Sequence, residues 1–482
     1  MSHDNHGFTA SLDHLDQKKP IKNETKKKLS KDERSNIYTV ELQDKKSYVQ
    51  ELEDDYEPYN HRQVDHPTTF WETLLHLLKG SLGTGILAMP KAFSHAGYGV
   101  GIVGTIVIGF LCTYCIHLLI KSEYVLCKRR KIPSLTYPLT AIEALNDGPK
   151  FFRPCAKYAG HVINAFLLIY QLGTCCVYTV FIANNLKIAL DPYVPASFTL
   201  SHYMLTLLLP LIFINWIRSL KALAPLSTIA NVMTLASFGI ILYYLFRVPP
   251  TLEGKDPIGK VEDFPLFFGT VLFALEAIGV IMPLENEMKE PKSFVNSCGV
   301  LNIGMFSIIT LYIGMGLFGY LRYGNTVEGS ITFSISNGTT DIIPAKIAQI
   351  LLAISIFFTH ALQCYVAIDI SWNEYIFPRM SKVRRTVIWE YVLRTSIVLV
   401  TFLLAVLIPE LDLFISLFGA LCLSAVGIAI PAIIHICTFW SISTTTEKAI
   451  MVAKNMSLVL FGLLGLVVGT YTSLRDIIHK FS

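Results

Sequence analysis

Charge is scarce in this chain. Only 16% of the 482 residues are Asp, Glu, Lys or Arg, against about a quarter in an ordinary soluble domain. Most of these lie in the first 70 residues or in short loops, which excludes a row of soluble domains. No nucleotide-binding or catalytic motif is present, so the chain does not read as an enzyme, and no nucleic-acid partner is expected. The ten cysteines show no metal-ligand spacing, and no metal is expected. None of them falls in 183–200, 247–263 or 322–345, read below as outer loops, so no disulfide tying those loops together is expected. The N-terminal segment also lacks the apolar core of a signal peptide, leaving the first apolar span as the targeting signal.

Apolar residues are abundant. They make up 52% of the chain, with a mean hydropathy of +0.49. A bilayer span needs about 20 mostly apolar residues, and eleven stretches qualify: 73–97, 98–121, 160–182, 202–217, 223–246, 264–284, 295–321, 346–371, 388–408, 411–436 and 449–473. The expectation is an all-α membrane protein of one polytopic domain, 71–475, with a short C-terminus, 476–482. Lys and Arg in short loops set orientation. Lys128 to Lys131, Arg218, Lys221, Lys289, Lys292, Arg379, Lys382, Arg384 and Arg385 all fall on the side of the N-terminal tail. That side is therefore expected to be cytosolic and the C-terminus extracellular or lumenal, although Arg247, Lys255 and Lys260 lie opposite. The tail 1–70 is polar and mixed in charge and reads as disordered and solvated. Its run Lys26-Lys27-Lys28 offers an alternative contact with anionic lipid. Of three sequons, Asn337-Gly-Thr alone sits in an outer loop with room around it and is the expected glycan site.

Two spans are interrupted. Gly80-Ser-Leu-Gly-Thr-Gly-Ile-Leu-Ala-Met-Pro90 breaks the first, and Leu275-Glu-Ala-Ile-Gly-Val-Ile-Met-Pro283 breaks the sixth. Paired broken spans in corresponding halves are the best sequence pointer to a transporter binding site. A half-helix starting at a break presents unpaired N–H groups and a positive dipole end, which suit a carboxylate. The half-helix that ends there presents free carbonyls, which suit an ammonium or a cation. A zwitterionic amino acid has that charge pattern. The competing reading, close helix packing at small residues, explains the glycines but not the second break. Glu276, a carboxylate in mid-membrane, is functional by default: it can attract an ammonium, hold a proton or bind broken backbone. The structural alternative is a protonated acid tying helices together. Glu285 and Glu287 lie nearer the cytosolic end and read as a gate or surface charge pair. His76, one turn before Gly80, can couple transport to a proton or serve as an interior hydrogen-bonded ring. His117, His360 and His435 compete for that role.

The run His76-Leu-Leu-Lys-Gly-Ser-Leu-Gly-Thr-Gly-Ile-Leu-Ala-Met-Pro-Lys-Ala-Phe93, with Ala96-Gly97, and the run Phe273-Ala-Leu-Glu-Ala-Ile-Gly-Val-Ile-Met-Pro-Leu-Glu-Asn-Glu-Met-Lys289 resemble spans one and six of the proton-coupled amino acid transporters, a branch of the amino acid/auxin permease family. The resemblance covers about 68–475. It implies eleven helices in a LeuT-like inverted five-plus-five repeat with one added helix, helices 1 and 6 being broken. It implies symport of a small neutral amino acid (glycine, alanine or proline) with a proton, and no cofactor. Carried over residue by residue, it implies a backbone site at Gly83, Thr84 and Gly85 with Glu276 to Gly279 opposite, and proton coupling at His76. The expected substrate contacts are Ser81, Gly83, Thr84, Gly85, Glu276, Ala277 and Gly279, with Glu276, from its mid-membrane place, a second candidate for the proton. The branch often has asparagine in place of Ser81 and glycine in place of Ala277, so substrate preference is expected to differ. Family members can carry an outer-loop disulfide, for which this chain has no cysteines.

Together these features describe a secondary active transporter working by alternating access, its partners being the amino acid, the proton and the bilayer. A sodium-coupled symporter is one alternative, with Ser81, Thr84 and Thr359 as oxygen donors. Another is an amino-acid sensor whose tail addresses a cytosolic signalling partner. A channel would need a continuous polar stripe, which two isolated breaks do not supply. The membrane, plasma or lysosomal/endosomal, is not encoded in any sorting signal the sequence displays.

Overall fold

The computed structural model describes residues 56–62, 64, 66–81, 83–195, 197–275, 278–336, 342–380 and 385–481. All statements below concern those residues. Met1–Tyr56 forms a separate unit from Glu57–Ser482. The tail 1–55, the sequon Asn337, and Glu276 and Ala277 lie outside the described residues.

The chain is built of helices. In order they are α1 (Phe70–Ser81), α2 (Thr84–Ala96), α3 (Tyr98–Arg130), α4 (Tyr137–Asp147), α5 (Ala156–Leu190), α6 (Leu200–Asn215), α7 (Leu220–Phe246), α8 (Phe264–Ala274), α9 (Ile278–Asn286), α10 (Val300–Tyr323), α11 (Ile331–Ser334), α12 (Ile342–Asp369), α13 (Thr386–Leu407), α14 (Leu411–Phe418), α15 (Ile430–Phe439) and α16 (Thr445–Phe481). A π-helical stretch, Gly419–Ala429, joins α14 to α15 in one continuous span. Eight helical stretches are long and apolar enough to cross a bilayer, and Leu200–Asn215 is a shorter apolar helix. The eleven spans read from sequence are reached only if that helix and the broken pairs α1/α2 and α8/α9 each count as a crossing.

Large apolar side chains face outward along the long helices: Phe110 on α3, Phe306 on α10, Leu403 on α13 and Val467 on α16 are each more than half exposed. A surface so apolar is the mark of a protein that lies in lipid. Inside, the pattern reverses. On α2, residues 84–90, 92, 93 and 96 are buried, and on α8 residues 266, 267 and 269–274 are buried. A helix apolar on every side belongs at the centre of the molecule.

Small residues set how closely the central elements approach. A Cβ on Gly85 would lie 2.6 Å from the Ala274 Cα, so α2 and α8 touch backbone to backbone. A Cβ on Gly419 would collide with the Gly269 carbonyl oxygen, which brings the π-helical stretch equally close to α8. Across α13, Arg394 is buried. It bonds Glu390 through Nε (3.1 Å) and Nη2 (3.0 Å) and donates from Nη1 to the Asn215 carbonyl at 2.9 Å, tying α13 to the end of α6.

The sequence did not announce α4. Its eleven residues fall inside the basic segment between the second and third apolar stretches. Tyr137, at its start, donates 2.6 Å to the Val426 carbonyl in the π-helical stretch. None of the ten cysteines is in a disulfide in the structure, and Cys155 and Cys298 are exposed.

Candidate substrate site at two helix breaks

The first break falls between Ser81, the last residue of α1, and Thr84, the first of α2. Gly83 is the N-cap of α2, with an extended backbone and no side-chain oxygen to accept from the first turn. The first N–H groups of α2 therefore point into the break without a side-chain cap, at the positive end of a thirteen-residue helix. Thr84 is 2% exposed, and its Oγ1 is buried with no hydrogen-bond partner. A buried hydroxyl left unpaired is costly, and here it stands beside the uncapped helix end. Together they are a ready set of donors for a carboxylate. A Cβ on Gly83 would sit 3.6 Å from the phenol oxygen of Tyr178 on α5, so that ring borders the same break.

The second break follows Ala274, the last residue of α8, and α9 resumes at Ile278. Gly279 is the second residue of α9. The two breaks meet at one atom. The Tyr312 hydroxyl on α10 lies 2.7 Å from the Ala274 carbonyl oxygen and is also in hydrogen-bond contact with the Ser81 carbonyl oxygen. Each carbonyl belongs to the C-terminal end of a half-helix, where the dipole is negative. One phenol proton thus serves two partly negative oxygens, and the hydroxyl stands where those oxygens converge.

The hydroxyls considered for a sodium site behave differently from one another. Ser81 Oγ donates to the Leu77 carbonyl at 3.0 Å, and Thr359 Oγ1 to the Ser355 carbonyl at 2.9 Å, each inside its own helix. Thr84 Oγ1 alone of the three has no partner. Gly85, read as a ligand contact, lies at the backbone contact between α2 and α8.

His76 lies on the exposed side of α1, with Trp71 and Leu75, while Thr73, Leu74, Leu77 and Ser81 face inward. Glu72 lies one turn back and Lys79 one turn on along the same helix. The three competing histidines are each engaged by an asparagine. His117 Nε2 lies 2.8 Å from Asn302 Oδ1, His360 Nδ1 lies 3.3 Å from Asn215 Nδ2, and His435 Nδ1 lies 3.0 Å from Asn455 Nδ2.

Tyr178 and Tyr312 were not found from the sequence. They stand on helices far along the chain from the Gly-rich run, and no local motif marks a tyrosine in an apolar span as anything but filler.

The family described as transmembrane amino acid transporter protein matches residues 66–475. Over 428 residues the chain is 38% identical to the proton-coupled amino acid transporter-like protein pathetic of Drosophila melanogaster, a match covering 89% of each chain. It is 26% identical over 425 residues to the amino acid transporter AVT3C of Arabidopsis thaliana, covering 84% of this chain and 91% of that one. Among solved structures it is similar to a sodium-coupled sialic acid symporter in a substrate-bound outward-open state, with a TM-score of 0.46, 14% identity and coverage of 88% and 91%. It is also similar to MhsT in complex with L-phenylalanine, with a TM-score of 0.45, 12% identity and coverage of 83% and 98%.

Proposed function

The chain belongs to the transmembrane amino acid transporter family, and from that premise we propose that it carries small neutral amino acids, of the glycine, alanine and proline type, together with a proton. It is an integral membrane transporter and not an enzyme. The observation that carries the finer reading is the pairing of charges at the breaks. The uncapped start of α2 with the unpartnered Thr84 hydroxyl offers donors to a carboxylate, and the Ser81 and Ala274 carbonyls mark the negative ends beside it. A zwitterion satisfies both without a charged side chain. Tyr178 closes on Gly83, which favours a short side chain on the substrate.

Proton coupling is supported over sodium by Tyr312. A sodium ion needs several oxygens with open lone pairs, and the Tyr312 hydroxyl engages both half-helix carbonyls, leaving them a further lone pair for the N–H donors of the substrate ammonium. His76 and Glu276 are the proposed proton carriers, with Ala277 and Gly279 lining the second break opposite Ser81, Gly83, Thr84 and Gly85. A proton crossing with a neutral zwitterion gains about 2.3 kcal/mol per 100 mV, which drives uphill accumulation. The α1/α2 and α8/α9 pairs would rock against the remaining helices, opening the site to one side at a time. The side bearing Arg62 is proposed to face the cytosol, in a plasma or lysosomal membrane, with glycosylation at Asn337 on the other side. Uptake of labelled glycine, alanine and proline, with sodium replaced by choline, tests the reading. Undiminished uptake in choline supports it, and loss of uptake returns the chain to the sodium-coupled class.

A further inference from the structure

At the end of α9 farthest from the breaks, two carboxylates share one guanidinium. Arg62 Nη1 lies 3.0 Å from Glu285 Oε2 on α9, and Arg62 Nη2 lies 3.8 Å from Glu123 Oε1 on α3. None of the three side chains is more than 6% exposed. Arg62 is fixed further by the Glu285 carbonyl at 3.2 Å and the Pro133 carbonyl at 3.1 Å, and its guanidinium sits 4.7 Å over the Tyr59 ring. Glu123 Oε1 accepts from the Leu135 N–H at 3.0 Å and from the Cys127 thiol at 3.1 Å. Its Oε2 is buried with no hydrogen-bond partner.

The charges do not balance. One guanidinium faces two carboxylates, and the nearby groups bring no second cation. Tyr59 and Cys127 are neutral donors. The Tyr59 phenol is itself pushed above its ordinary value by burial and by the two carboxylates. Glu57, on the same segment, is matched by Lys292 at 3.3 Å and by the Tyr124 hydroxyl at 3.1 Å. A lone excess charge cut off from water is strongly disfavoured, and the pair of carboxyls around Arg62 relieves it by holding one proton between them in charge balance.

We propose that Glu123, Glu285 and Arg62 form a proton-binding site on the inner face, occupied while α9 is packed on α3 and emptied when the two part. Separation returns each carboxylate to water, where it ionises at neutral pH. The proton then leaves on the inner side. Glu123 Oε2 and Glu285 Oε1, both buried without a hydrogen-bond partner, are the oxygens open to that proton. This site deepens the proton-coupled reading and rests on it for its place in the cycle, but proton binding itself can be measured without transport.

Infrared spectra of the full-length protein in liposomes near neutral pH, recorded in H2O and in D2O, provide that measurement, because the C=O stretch of a protonated carboxyl shifts on deuteration and that of a lipid ester does not. The expected result is one deuterium-shifted carboxyl component in the wild type that is lost both in E123Q and in E285Q, whatever Glu276 contributes beside it. E123Q leaves Arg62 and Glu285 matched one to one, so its fold is retained and it decides the matter if E285Q does not fold. Wild-type band intensity surviving in E123Q overturns the proposal. A band lost in E123Q, in a protein whose uptake no proton gradient drives, supports the site and overturns the coupling reading instead.

Discussion

At the scale of single residues, the account rests on Thr84 and Tyr312, which predict opposite kinds of mutant. Thr84 Oγ1 bonds nothing in the described structure, so T84A should leave thermal stability unchanged. A hydrogen bond to a charged group is worth about 1.5–3 kcal/mol. The Michaelis constant for alanine should therefore rise at least roughly tenfold, with T84S restoring it. Tyr312 is engaged on both sides, and Y312F orphans two buried carbonyls at about 1–3 kcal/mol each. That variant should lose thermal stability, and its proton-driven uptake should fall about tenfold or more. Sequence reasoning found Thr84 because a hydroxyl in a Gly-rich break is conspicuous. It missed Tyr312 because the partners, Ser81 and Ala274, lie 231 and 38 residues away, and only the fold brings them together. His76 shows another limit of local reading. Its spacing from Gly80 is visible in the chain, but which way the ring points depends on how α1 packs, and α1 turns it to the exposed side.

At the scale of elements, the breaks were legible and the contacts between elements were not. Three glycines and a proline within eleven residues disfavour continuous helix, and the structure ends α1 at Ser81 and starts α2 at Thr84. The π-helical stretch Gly419–Ala429 gave no such sign, because its residues are as apolar as any span, and its close approach to α8 is a contact only the fold makes. Gly85 is the test of that packing. With the Ala274 backbone 2.6 Å from where its Cβ would be, G85A must push α2 from α8. Overpacking of this kind costs about 1–3 kcal/mol, readable as a lower melting temperature of the purified protein. The α6–α13 tie gives a contrasting pair. Removing one partner of a buried ion pair costs about 3–5 kcal/mol, so R394A should be strongly destabilised. Arg218, which pairs with the same Glu390 at 2.7 Å but is nearly half exposed, should cost no more than about 1 kcal/mol when replaced by alanine.

At the scale of the whole molecule, the two breaks, the buried charge cluster at Arg62 and the apolar exterior belong together. The half-helices α2 and α8 are buried along most of their length, while α1 shows one face to the exterior. With the Arg62 side facing the cytosol, as proposed, inward opening would move α1 and α9. It would also separate Glu285 from Arg62, which makes the inner charge cluster the natural place for a proton to leave. The central claim is that proton entry drives amino acid entry through one site, and purified protein in sodium-free liposomes tests it most directly. With the outside acidified and labelled alanine present, the account predicts accumulation above the equilibrium level, abolished by a protonophore and reduced in T84A. Uptake that only equilibrates, indifferent to the proton gradient and to the protonophore, would contradict it.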